Sequence, residues 1–374
     1  MRRGPVCLVR YETRKGTDGA RSSGRRNEVV YECLCTGSGA ASAAARCSGS
    51  RHRRLWGRAG HRSAQGRLGR WGGGGRGDVP RTADRRSRGE LGRACASGRG
   101  AAPHSRELAH PRPVQRWPVL LLLPGGDGDH LAWTRDYGIQ DLPALRHTLV
   151  VMPEMPLFGF CTDWWNHGEG GPPAVETFHL REVLPLVERF YEAGTRRVVA
   201  GQSQGGFGAV SYTARHRGMF RAAASYSGFV HPLQHPRAVR AAMDYLGLEW
   251  TALWGDPVRQ RAIWQAHDPT YLAHRLTRIP VWLSCGDGRL GPLDPPDTPP
   301  DEHIPGLEDP DAPFPADVLS PTEAIMREEN EALAPVLRAA GALVTTRFHA
   351  GTHDPAYWSR ELRASLPTLL QALR

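Results

Sequence analysis

The sequence of 374 residues predicts an α/β protein whose mostly parallel central sheet is covered by helices on both faces. From residue 116 onward, short apolar runs typical of strands alternate with amphipathic segments typical of helices. Strands that alternate with helices in this way form parallel βαβ units. The strands are apolar along almost their whole length, as is required where helices cover both faces of a sheet. We therefore assign residues 116–374 to one α/β domain.

The first half of this domain contains three predicted strands and two predicted helices. Residues 118–123 form an apolar run that ends at a proline, and residues 147–153 repeat that pattern, so both are predicted strands. Residues 175–193 place apolar side chains three or four positions apart, which predicts an amphipathic helix. A third strand at 196–201 ends in a glycine, and a short helix is predicted at 206–216.

The second half continues the alternation. Apolar residues predict strands at 220–226 and 279–285, the second of which begins at an Ile-Pro pair. A long helix is predicted at 322–340, a strand at 343–349 and a closing helix at 357–373. This alternation extends the βαβ pattern of the first half to the C-terminus.

Residues 1–115 have a different composition from the rest of the chain. Residues 1–117 hold 26 of the 48 Lys and Arg residues and 8 of the 38 Asp and Glu residues, a net charge of +18, while the remainder carries −8. The segment is rich in Arg, Gly, Ser and Ala and shows neither helical nor strand periodicity. Such a composition cannot bury enough apolar area to offset chain entropy, so we expect disorder. The abrupt change at Arg116 also suggests a wrong start or a frame-shifted reading.

Several classes of protein are disfavoured by the sequence. The basic residues are confined to the N-terminal third and lack the regular aromatic residues of a single-strand binder, so no nucleic-acid partner is expected. No apolar run is long enough for a membrane span, and no secretory signal is visible at the N-terminus as written. Cys33 and Cys35 lack the spacing and the paired histidines of a zinc site, and we expect neither a metal nor another cofactor.

The chemistry is indicated by a G-x-S-x-G motif at residues 201–205. The motif alone is weak evidence in a chain this rich in glycine. It lies, however, between a predicted strand and a predicted helix, which is the setting of a nucleophile elbow. This context predicts that Ser203 is a catalytic nucleophile in an α/β-hydrolase fold.

A serine nucleophile needs a base and an acid, which in this fold follow it in the chain. His353 lies in the loop after the last predicted strand and is the candidate general base. Two acids are candidates: Asp287 directly after the strand 279–285, and Glu323 at the start of the helix 322–340. The predicted oxyanion hole consists of the backbone N–H groups of Gln204, next after the nucleophile, and of Gly126, in the loop after the first strand of the domain.

These residues resemble the esterase family that includes the mycolyltransferases and S-formylglutathione hydrolase, and most closely its mycolyltransferase branch with the actinobacterial esterases. The resemblance runs from about Pro118 to the C-terminus. In that branch the acid is a glutamate at the start of the helix before the last strand, which implies Glu323 rather than Asp287. The segments that carry the resemblance are Thr162–Trp165, Glu176–Phe178, 201–205, Trp254–Pro257, His267–Pro269, Cys285–Gly288 and Gly351–Trp358.

The sequence therefore predicts a serine-dependent carboxylic ester hydrolase that acts on a small-molecule or lipid ester. An acyltransferase of the mycolyltransferase type, with a sugar or lipid hydroxyl as acceptor, uses the same residues and is the first alternative. A third class is an inactive remnant or a nucleic-acid binder that uses the basic N-terminal segment. The resemblance implies a family that is often exported, and the oligomeric state is left open.

Overall fold

The computed structural model describes residues 6–15, 27–35, 116–126, 128–155 and 158–374. Its strands are β1 (Val6–Lys15), β2 (Asn27–Cys35), β3 (Trp117–Leu123), β4 (Leu149–Pro153), β5 (Ala193–Gln202), β6 (Ala223–Tyr226), β7 (Pro280–Cys285) and β8 (Leu343–Phe348). Its α-helices are α1 (Ala132–Arg135), α2 (Val175–Thr177), α3 (Leu184–Phe190), α4 (Gln204–Arg215), α5 (Pro236–Tyr245), α6 (Trp250–Trp254), α7 (Arg261–His267), α8 (Pro269–Leu272), α9 (Pro321–Ala339) and α10 (Pro355–Ala372). Among the described residues, no helix is both long and apolar enough to cross a membrane.

The eight strands form one sheet in the order β2-β1-β4-β3-β5-β6-β7-β8. Every neighbouring pair is parallel except β1 and β2, which are antiparallel. The prediction of a mostly parallel sheet with helices around it is confirmed. Because the strands from β3 onward are parallel, the loops after β3, β5, β6, β7 and β8 all leave the same edge of the sheet, which is where the site is built.

Two strands lie within residues 1–115, for which the sequence predicted mostly disorder and no strands. β1 pairs with β4 in parallel from Val6 opposite Val150, and β2 pairs with β1 along its whole length. Short stretches rich in strand-forming residues, such as Val29, Val30 and Tyr31, explain why these two segments form strands. Residues 1–5, 16–26 and 36–115 lie outside the described residues, so the disorder expected there and the boundary near residue 116 stay predictions.

Two apolar layers hold the sheet, one on each face. Alternate residues of β3 point to opposite faces. Val119, Leu121 and Leu123 pack with the helical residues 178–187 on one face. Leu120 and Leu122 pack with the C-terminal helix α10 on the other. The five residues Val119–Leu123 are fully buried, so this part of β3 forms the middle of the core and fixes the position of the loop that follows it.

The helix predicted at 175–193 is divided in the structure. It consists of α2, a π-helical turn at Phe178–Val183 and α3, and β5 begins already at Ala193. Pro185 lies in the first turn of α3, where it has no N–H to donate to the carbonyl four residues earlier. A wider π turn just before it accommodates this missing hydrogen bond. Periodicity alone could not show this, since the apolar spacing continues through the turn.

Candidate active site

Ser203 lies in the sharp turn between β5 and α4, where it is the N-cap residue of the helix. Its backbone has φ 53° and ψ −123°, which is strained for any residue other than glycine. The turn is held on both sides, because the Ser203 N–H donates to the Tyr226 carbonyl at 2.9 Å and its carbonyl accepts from Phe207 N at 3.1 Å. A strained serine at the end of a central parallel strand is the geometry of a nucleophile elbow.

The two glycines of the motif are required by close backbone contacts. A Cβ on Gly201 would lie 2.3 Å from the backbone carbon of Gly205. A Cβ on Gly205 would lie 2.4 Å from the carbonyl oxygen of Leu123, at the end of β3. Both distances are far below a van der Waals contact, so no other residue fits at either position. The first turn of α4 is thereby packed directly against the end of β3.

The two predicted oxyanion-hole residues lie next to each other beside this turn. A Cβ on Gly126 would lie 2.9 Å from the side-chain nitrogen of Gln204, and one on Gly125 would lie 3.5 Å from Cβ of Ser203. Gln204 is buried, and its side-chain oxygen accepts a hydrogen bond from Phe160 N at 3.2 Å. The first N–H groups of a helix have no intrahelical partner and carry positive partial charge, which suits a developing oxyanion.

His353 and Glu323 form a hydrogen-bonded pair. His353 lies in the loop between β8 and α10, and Glu323 lies in the first turn of α9. The distance between His353 Nδ1 and Glu323 Oε2 is 2.6 Å. A carboxylate can only accept, so Nδ1 carries the proton and Nε2 is left as a base. The pair therefore has the orientation that a general base and its acid partner need.

Glu323 is fully buried, and its environment favours the ionised form. Its Oε1 accepts from Ser227 Oγ at 2.6 Å and from Gly286 N at 2.5 Å. Burial alone would raise the pKa of Glu323, but the hydrogen bond and charge of His353, with the hydrogen bonds of Ser227 and Gly286, hold the pKa below its ordinary value. An ionised carboxylate in this position can stabilise a positive charge on the His353 imidazole.

Asp287, the other candidate acid, has different partners. Its Oδ1 accepts from the backbone N–H groups of Arg289 at 3.0 Å and Gly351 at 3.3 Å. Its Oδ2 lies 3.7 Å from the Arg289 guanidinium, and the side chain is 29% exposed. The structure thus brings Glu323 to His353, whereas Asp287 accepts from one backbone N–H of its own loop and one of the loop before His353.

Two side chains that the sequence analysis did not single out complete this part of the site. Ser227 Oγ donates to Glu323 and accepts from Trp358 Nε1 at 3.0 Å. The Trp358 ring lies edge-on to the His353 ring, with 4.7 Å between centroids. Ser227 also has a positive φ of 48°. Trp358 belongs to one of the segments that carry the resemblance, but no local pattern around Ser227 marks it.

A mostly parallel sheet with a sharp serine turn after β5, and a Glu–His pair from the start of α9 and the loop after β8, defines an α/β hydrolase. The chain matches the family described as Putative esterase over residues 108–369 and belongs to that family. It is 30% identical over 237 residues to the diacylglycerol acyltransferase/mycolyltransferase Ag85B of Mycolicibacterium smegmatis, covering 60% of this chain and 67% of that protein. The resemblance stated from the sequence is confirmed by these matches.

Two further relatives show how far the similarity extends. Esterase Rv1288 of Mycobacterium tuberculosis is 40% identical over 119 residues, or 30% of this chain, and the aligned part spans only 25% of that esterase. The crystal structure of Mycobacterium tuberculosis MPT51 aligns with a TM-score of 0.55 at 21% identity, covering 69% of this chain and 91% of that one. At this identity the structural match shows the fold.

Proposed function

We propose that the protein is a serine-dependent carboxylic ester hydrolase that works through an acyl-enzyme on Ser203. The observation that carries the proposal is the strained Ser203 turn combined with the 2.6 Å pair of His353 and Glu323. Membership of the Putative esterase family supports the same class of reaction. The substrate class is a small-molecule or lipid carboxylic ester, and the reaction as proposed involves no cofactor.

Each residue has a defined role in the proposed reaction. His353 Nε2 takes the proton of the Ser203 hydroxyl as its Oγ attacks the ester carbonyl. The backbone N–H groups of Gln204 and Gly126 stabilise the oxyanion, and Glu323 stabilises the imidazolium. His353 then gives the proton to the departing alcohol. Water attacks the acyl-enzyme in the second half, with His353 as base, and releases the acid and free Ser203.

Transfer of the acyl group to a sugar or lipid hydroxyl is the alternative, supported by the similarity to a mycolyltransferase. The acyl-enzyme is the same, and only the second nucleophile differs. Hydrolysis and transfer are separated by adding a sugar or glycerol acceptor to the ester assay and measuring the products. A new ester that forms at the expense of free acid favours transfer, whereas unchanged release of free acid favours hydrolysis.

The first experiment compares the parent with Ser203→Ala in fluorophosphonate labelling and in turnover of p-nitrophenyl esters of increasing chain length. We expect the parent to react and the variant to lose labelling and about 10³-fold or more of kcat. Ser225→Ala is the matched control, because Ser225 is a buried serine on β6 near the same turn. A parent that neither labels nor hydrolyses any ester contradicts the proposed function, as does a Ser203→Ala variant that retains both activities.

A further inference from the structure

Asp294 lies on the long loop between β7 and α9, and its carboxylate accepts hydrogen bonds from two other segments. Asp294 Oδ1 accepts from Thr352 Oγ1 at 2.5 Å, and Oδ2 accepts from Thr352 N at 3.3 Å. Oδ2 also accepts from the Tyr357 hydroxyl at 2.8 Å and from Gly291 N at 2.7 Å. A solvated aspartate on a loop bonds mainly to water, whereas this partly exposed carboxylate accepts four hydrogen bonds from protein groups.

Two of the four hydrogen bonds to this carboxylate come from Thr352, the residue directly before the proposed general base His353. Thr352 is buried, and both its backbone N–H and its hydroxyl donate to Asp294. Tyr357, the third residue of α10, is fixed by the same carboxylate and accepts from Leu293 N at 3.1 Å. The segment that carries His353 is therefore held to the β7–α9 loop immediately before and shortly after the imidazole.

A second set of contacts holds the same segment from the start of the loop. Gly288 N donates to the Gly351 carbonyl at 2.9 Å, and Asp287 Oδ1 accepts from Gly351 N. A Cβ on Gly286 would lie 2.2 Å from that carbonyl, so the two loops are in close contact. Within this segment Asp287 binds one backbone N–H, whereas Asp294 also binds the side chains of Thr352 and Tyr357. A single substitution at Thr352 can therefore remove one of the Asp294 hydrogen bonds.

The Asp294 carboxylate is well suited to this role because it is ionised. Burial raises its pKa, but the hydrogen bonds from Thr352, Gly291 and Tyr357 lower it below the ordinary value of an aspartate. Hydrogen bonds to an ionised acceptor are about twice as strong as those between neutral groups. The position of His353 relative to Ser203 matters, since a displacement of about 1 Å can lower the rate by about 10²-fold.

We propose that Asp294 is a positioning residue for ester hydrolysis. Through Thr352 it holds His353 in the correct position relative to Glu323 and Ser203. The proposal rests on the proposed function and adds to it a residue outside the predicted catalytic set. Its consequence is that the loop between β7 and α9 affects the rate of the chemical step rather than substrate binding.

The test compares Asp294→Asn, Thr352→Val, the double variant and the control Asp297→Asn. Asp297 is an exposed aspartate three residues further along the same loop. We expect Asp294→Asn and Thr352→Val each to lower kcat by about 10-fold with KM within about twofold. Thr352→Val removes the hydroxyl donor, and Asp294→Asn replaces its charged acceptor with a neutral amide oxygen. Because both changes weaken the same contact between Thr352 and residue 294, we expect the double variant to lose little more kcat than either single variant. Melting temperatures show whether each variant is folded.

Three outcomes contradict the proposal. The first is a loss of kcat in Asp294→Asn no larger than that in Asp297→Asn. The second is a double variant in which the two single losses multiply, and the third is a loss confined to KM. If the parent hydrolyses esters in a Ser203-dependent way and one of these outcomes follows, only the role of Asp294 is overturned. A parent without ester turnover and without Ser203 labelling overturns the proposed function, and the role of Asp294 with it.

Discussion

The two halves of the candidate site are held by different forces. The nucleophile half, from β5 into α4, is fixed by backbone contacts that leave no room for a side chain at Gly201 or Gly205. The acid–base half is fixed by hydrogen bonds, in which Glu323 accepts from Ser227, Gly286 and His353. Steric exclusion fixes the backbone of the first half, and hydrogen bonds between buried polar groups fix the side chains of the second.

This difference explains why one half was easier to predict than the other. The residues of the elbow are consecutive, so the sequence shows the turn, the glycines and the strand before them at once. The partners of Glu323 come from separate loops, and Ser227 is 96 positions away in the chain. Only the folded sheet brings such residues together. The two halves should therefore also respond differently to mutation.

The largest expected effect on stability is in the nucleophile half. In Gly205→Ala the new methyl group would overlap the carbonyl oxygens of Leu123 and Pro124, at 2.4 and 2.5 Å. We expect the free energy of unfolding to fall by about 3 kcal/mol, measured by urea denaturation. Gly125→Ala is the control, since its Cβ would meet its neighbours at ordinary distances of 3.5 Å and more. Equal stability of the two variants would contradict the steric explanation.

The next effect tests the acid. In Glu323→Gln the neutral amide keeps the shape but cannot stabilise the imidazolium, so we expect kcat to fall by about 10²- to 10⁴-fold with KM little changed. Asp287→Asn removes the charge of the other candidate acid, and we expect a loss of less than about 10-fold, because Asp287 binds backbone groups rather than His353. If Asp287→Asn lost more kcat than Glu323→Gln, Asp287 rather than Glu323 would be the acid.

Substitutions of Ser227 are expected to have a smaller effect on kcat. Comparing alanine with glycine at this position separates the loss of the hydrogen bond to Glu323 from the strain of the positive φ. Ser227→Ala removes the donor to Glu323, and we expect kcat to fall by about 10-fold, since hydrogen bonds to charged groups contribute about 1.5–3 kcal/mol. Ser227→Gly removes the same donor but suits the φ of 48°. We expect the glycine variant to match the alanine variant in kcat and to exceed it in melting temperature. A glycine variant that is less stable would show that the strain is unimportant.

The sequence predicted the strands from β3 onward, the helices α4, α9 and α10 and the turn at Ser203, because each depends on patterns within a few residues. It did not predict the helix α1 or the helices α5 to α8 between β6 and β7. It did not predict β1 and β2, whose strand-forming residues lie within an Arg- and Gly-rich segment. It also missed the π turn at Phe178–Val183, since the helical spacing of apolar residues continues through it. For the acid, the residues alone left Asp287 and Glu323 open, and the preference for Glu323 came from the family resemblance.

A buried carboxylate that is not part of the candidate site gives the smallest expected effect. Glu329 lies on α9 like Glu323, and both are fully buried, but their pKa values shift in opposite directions. Burial raises the pKa of Glu329 well above its ordinary value; a hydrogen bond from His231 N lowers it only in part, and the charge of Asp268 adds to the rise. Glu329 Oε1 has no hydrogen-bond partner among the described residues.

The sign of the pH dependence follows from this shift. A carboxyl group whose pKa is raised by folding stabilises the fold most below its unfolded pKa, and that contribution is lost as the pH rises through the folded pKa. Glu329→Gln does not titrate, so we expect its advantage in melting temperature over the parent to grow by about 2 °C between pH 5 and pH 8. A gap that stays constant over this range would show that Glu329 does not change protonation. It would also mean that the two buried carboxylates of α9 do not differ in protonation. The expected difference arises because Glu323 accepts hydrogen bonds from His353 and Ser227, whereas no comparable side-chain donor among the described residues reaches Glu329.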